Sequence, residues 1–86
     1  MGKLQFGQTA FLDNDEKYTC IANIEKDDKD YVFLISLKKP PVIKVARQDL
    51  ENGNLFLTII KDENKKNELL RIYKEKYGKN ITGRVE

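Results

Sequence analysis

The residues of this chain that could do chemistry are few. There is no histidine among its 86 residues, which removes the commonest general acid–base and the commonest metal ligand. Cys20 is the one cysteine, so neither an internal disulfide nor a thiolate metal site can form. Ser36 is the one serine. It lies inside an apolar run and reads as a packed hydroxyl, not a nucleophile. Asp13, Asp15 and Glu16 sit within four residues, and Asp27, Asp28 and Asp30 form a second such group. Neither has the spacing or the glycine of a calcium loop. Short acidic side chains at these positions read as solvated turns. The five glycines are scattered, and none forms a phosphate-binding loop. The expectation is a protein that is not an enzyme and carries no cofactor.

What remains is charge and aromatic character. Lys38, Lys39, Lys44 and Arg47 flank Pro40-Pro41, and Lys66, Arg71 and Lys74 accompany Tyr73 and Tyr77 near the C-terminus. Basic groups interleaved with stacking rings suit a single-stranded nucleic acid. The same lysines also suit a solvated helix face and edge strands protected against sheet-to-sheet pairing. The net charge is only +2, with 16 basic and 14 acidic residues, and a nucleic-acid footprint is normally more basic. These nine residues are therefore candidates for contact with a nucleic acid or with another protein.

The elements that must position them follow from periodicity. Tyr31-Val32-Phe33-Leu34-Ile35-Ser36-Leu37 is apolar on both faces and bounded by charge, as expected of a central strand covered on both sides. Residues 4–12 read as a first strand. Lys17–Glu25 reads as a second, with Tyr18, Cys20, Ala22 and Ile24 on one face. The short acidic connections are of hairpin length. Pro40-Pro41 ends the third strand. Val42–Arg47 and Leu55–Lys61 read as strands four and five, joined through Asn52-Gly53, a strong turn signal. Asp62 then caps a helix whose stripe is Leu69, Leu70, Tyr73 and Tyr77, with Ile72 at its edge and Gly78 as its stop. The fold class is α+β: a five-stranded, mainly antiparallel, curved meander with one C-terminal helix packed on it. Residues 1–78 form one domain and 79–86 a flexible tail.

The run from Phe11 to Thr19, the run Ile24-Glu25 through Leu34, and Leu57-Thr58-Ile59-Ile60-Lys61-Asp62-Glu63 followed by Leu70 and Tyr73 together resemble the YrzB-like group. These are small proteins of low-GC Gram-positive bacteria and their phages. The resemblance covers residues 4–77. It implies a bacterial or phage origin and supplies no site residue. The group tends to be strongly acidic, whereas here residues 44–86 carry a net +3.

No apolar run approaches the roughly 20 residues needed to span a bilayer, and the first residues lack a signal-peptide core. The expected location is cytoplasmic, with no membrane partner. The leading functional expectation is a protein-interaction module, an inhibitor or accessory protein that sterically occludes a partner. A small nucleic-acid-binding domain is the alternative. Because the helix covers one sheet face at most, the opposite face or an edge strand is the default contact surface.

Overall fold

A computed structural model of the chain describes residues 3–12, 16–38, 41–78 and 84–86. Five strands run in sequence order across one sheet: β1 (Thr9–Phe11), β2 (Lys17–Lys26), β3 (Lys29–Ser36), β4 (Val42–Glu51) and β5 (Asn54–Ile59). Every adjacent pair is antiparallel. The sheet curls into a half-barrel, and one helix, α1 (Glu63–Tyr77), follows it. The α+β meander and the central position of β3 are as the sequence predicts.

Two tight hairpins set the register. Lys26 faces Lys29 across Asp27-Asp28, and Glu51 faces Asn54 across Asn52-Gly53. All four turn residues have positive φ, the mirror-image turn whose twist matches that of the flanking strands. Asn52-Gly53 supplies it cheaply, since glycine meets no steric penalty there. Asp27-Asp28 holds the same geometry with two side chains.

The helix begins where expected. Asp62 Oδ1 accepts from the Asn64 N–H at 3.0 Å. It ends at Gly78, which is left-handed and donates its N–H to Lys74 O at 2.8 Å. Leu69 and Tyr73 are buried against Ala22, Ile24, Tyr31, Phe33, Ile43 and Val45. Tyr73 stacks on Phe33 with ring centroids 5.2 Å apart.

A second apolar layer lies on the opposite face. Tyr18, Cys20, Val32, Leu34, Ala46 and Leu4 form its buried part. Here the expected face of strand two is corrected. Cys20 pairs with Leu34 but Ala22 pairs with Phe33, so a bulge falls at Ile21. One extra residue reverses side-chain parity. Tyr18 and Cys20 therefore serve the second layer, while Ala22 and Ile24 serve the helix layer.

Three boundaries also differ. Strand one shortens to Thr9–Phe11. The residues before it bend: Gly7 has φ +87°, and both Gly7 N–H and Gln8 O bond Cys20 on β2. Strand four runs on through Asp49 to Glu51, because the hairpin to β5 carries the ladder to the Asn52-Gly53 turn. Within the stretch read as a tail, Arg84–Val85 form β6, which pairs parallel with Val42-Ile43 of β4. β5 stops pairing beyond Ala46, apart from the Ile60 N–H to Val45 O bond, and leaves that part of the β4 edge vacant. Val85 fills it and packs on the helix layer.

Candidate functional site

The basic and aromatic residues singled out by the sequence do not form one surface. Tyr73 is 6% exposed, and Phe33 occupies one face of its ring, so it offers no base-stacking platform. Lys66 is buried, with its Nζ 2.9 Å from Glu63 Oε1. Lys44 and Arg47 are three positions apart on one strand, so they lie on opposite faces. The Lys44 ammonium sits 5.7 Å from the Tyr18 ring centre. Arg47 Nε donates to Asp49 Oδ2 at 2.9 Å. Lys38 donates to Glu16 Oε1 at 2.7 Å, and this bond holds the Glu16 carboxyl below its ordinary range. Lys39 lies outside the described residues, as do Asp13 and Asp15 of the first acidic turn. Arg71, Lys74 and Tyr77 are exposed on α1.

Several cations instead hold the helix to the sheet. Lys76 Nζ donates to Asn23 O at 2.7 Å, Lys65 sits over the Tyr31 ring at 5.2 Å, and Lys26 pairs with Glu68. Edge protection by lysine is also corrected. Lys44 and Arg47 are on β4, which is flanked on both sides.

Among the described residues no His, Cys, Asp or Glu side chains group as metal ligands, and no helix is long and apolar enough to cross a membrane. Cys20 is fully buried, and burial pushes its thiol up, the reverse of what a reactive thiolate needs.

The feature that stands out is the gap between the two ends of the curled sheet. A groove of about 880 Å³ is lined on one side by the N-terminal segment and β1, and on the other by Leu55 and Leu57 of β5. It continues along Leu12, Phe56 and Ile59. Two phenylalanines that line it stand in solvent: Phe11 is 68% exposed and Phe56 50%. The floor is the second apolar layer, where Leu55, Leu57 and Ile59 pack beside Ala10 and Leu12. One polar link crosses this layer. Gln48 is buried; its Oε1 accepts from Leu4 N–H at 2.9 Å, and its Nε2 donates to Asn23 Oδ1 at 2.8 Å. That link ties the N-terminal segment to the sheet beside the groove.

Sequence reasoning attended to where charge accumulates and missed this site. The signal lay in where charge is missing. In a chain with 35% charged residues, the two longest uncharged stretches are Leu4–Leu12 and Asn52–Ile60, nine residues each. These two stretches contain β1 and β5, the ends of the meander.

No family model matches the chain, and no curated protein or solved structure matches it.

Proposed function

We propose that the protein is a non-enzymatic protein-interaction module that engages its partner at the groove between β1 and β5. The observation that carries this reading is that Phe11 and Phe56, both exposed, line one apolar groove from its two sides. Folded domains rarely expose contiguous apolar patches unless a partner covers them, and aromatic side chains are enriched where proteins meet. The resemblance to the YrzB-like group extends the reading to an inhibitor or accessory protein of bacterial or phage origin, whose bulk occludes a site on the partner it grips.

The test is affinity purification of the tagged protein from its native lysate after nuclease treatment. It is run beside a Phe11→Glu/Phe56→Glu variant whose fold is checked by circular dichroism. The expected result is a discrete protein that survives nuclease and is lost with the variant. Retention of that protein by the variant would move the contact away from the groove. Loss of all bound protein on nuclease treatment would transfer the reading to nucleic acid and to Arg71, Lys74 and Tyr77.

A further inference from the structure

The backbone at the two sheet ends is as informative as the side chains. In antiparallel ladders residues alternate between pairs that exchange both hydrogen bonds and pairs that exchange none. Ile60 N–H bonds Val45 O at 2.8 Å. With Ala46 opposite Ile59 and Gln48 opposite Leu57, that bond fixes the phase. Thr58, Phe56 and Asn54 face β4, while the N–H and C=O groups of Leu55, Leu57 and Ile59 point away from the sheet. On β1, Cys20 N–H bonds Gln8 O at 2.8 Å and Leu12 N–H bonds Glu16 O at 3.0 Å. With Ala10 opposite Tyr18, the groups left pointing outward are those of Thr9 and Phe11.

Topology then restricts what these groups can pair with. Five strands in an all-antiparallel meander leave the first and last running in the same direction. A single added strand between them would be antiparallel to both and would close the barrel. β1 is short, but neither end strand is guarded by charge or proline. Natural sheets blunt a free edge with lysine, proline or inward-pointing charge, yet Leu4–Leu12 and Asn52–Ile60, which contain β1 and β5, carry none. The groove has one charged lining residue, Lys3, and Asp30 already pairs with it. A neutral groove with backbone donors and acceptors on both walls is complementary to a neutral backbone.

We propose that the groove takes an extended, uncharged segment of a protein partner, which enters between β1 and β5 as an added antiparallel strand. This rests on the protein-interaction reading and specifies its mode. The segment's inward residues would meet Leu55, Leu57 and Ala10. Its outward residues would lie beside Phe11 and Phe56, so the preferred segment is apolar at both parities. The length of β5, six residues, sets the span of the contact.

The test is a display library of random peptides about twelve residues long, roughly twice a typical strand, selected on the immobilised protein. Binders are then synthesised and followed by amide hydrogen exchange. The expected result is at least tenfold slower exchange at Thr9, Phe11, Leu55 and Leu57, with the amides of Ala10, Phe56 and Thr58, already bonded, unchanged. Leu57→Pro removes an outward N–H and leaves the β4 ladder intact. It should weaken peptide binding at least tenfold. The exchange pattern on the unaltered protein decides the matter even if this variant does not fold. Failure to select any peptide, or slowed exchange confined to α1, overturns the proposal. So does protection of the same amides without peptide that grows with protein concentration, which would assign the groove to a second copy of the chain. A lysate partner lost with Phe11→Glu/Phe56→Glu but held by Leu57→Pro would keep the interaction reading and remove the added strand.

Discussion

Gln48 of β4 and Asn23 of β2 are joined by a 2.8 Å hydrogen bond that passes over β3, on the face away from the helix. The same Gln48 receives the Leu4 N–H, and the backbone oxygen of the same Asn23 receives Lys76 from the helix. Two residues therefore connect the N-terminal segment, β2, β4 and α1. A buried donor or acceptor left without its partner costs about 1–3 kcal/mol. Gln48→Leu should destabilise the protein by about that much, read as a lower urea midpoint. It should also accelerate amide exchange at Leu4 first. An unchanged Leu4 amide would mean that the link does not anchor the N-terminal segment.

Tyr73 and Lys74 are adjacent in sequence and should behave oppositely. Tyr73→Ala removes a ring stacked on Phe33 in the helix layer and should cost about 3–5 kcal/mol. Lys74→Glu, on the exposed side of the helix, should change stability by less than about 0.5 kcal/mol. It should leave capture of the protein partner unaltered. A loss of partner on Lys74→Glu, restored at low salt, would instead favour a basic contact surface.

Alkaline pH should weaken the fold. Burial raises the Cys20 thiol above its ordinary 9.0 and the Tyr18 phenol above its ordinary 10.0, the latter reinforced by Glu16. Above those ordinary values the unfolded chain has released protons that the folded chain still holds. The stability these two groups contribute is thus fully present below pH 9.0 and is lost as pH rises through the folded-state values. Urea melts at increasing pH should show the decline. Cys20→Ala should delay its onset toward the tyrosine range, and a flat profile through that range would refute the assignment.

The Asp27-Asp28 turn offers a gain. Both residues hold positive φ, at 53° and 63°. The left-handed region costs a residue with a side chain about 1–2 kcal/mol, partly relieved for aspartate. Asp28→Gly should raise stability by about 0.5–1 kcal/mol, measurable as a higher melting temperature. A fall would show that the Asp28 side chain supports the turn.

Much of the architecture was legible because it rests on local chemistry. Asn52-Gly53 turns wherever it stands between apolar runs, and Asp62 and Gly78 cap the helix by their own side-chain and backbone properties. The bulge at Ile21 was not legible, since Thr19-Cys20-Ile21-Ala22 offers small or apolar groups at both parities and only the pairing with β3 decides between them. Strand β6 depends on a vacancy created by β5 turning away toward the helix, a tertiary fact with no local signature. The candidate site was missed for a related reason. Its walls are ordinary strand residues, and what sets them apart is the lack of charge across two stretches that only the curl of the sheet brings together.

Strand β6 also imposes a sequence of events. Val42 waits for Arg84, 42 positions further on (84 minus 42), the most distant strand pairing among the described residues. Closing so long a loop carries an entropic cost that rises with the logarithm of its length, and pairings between distant segments are slow to form. A nascent chain can assemble the whole meander and seat α1 before this clasp exists. Until Arg84–Val85 arrive, the Val42-Ile43 margin of β4 is a further open edge, exposed to a chaperone or a neighbouring strand.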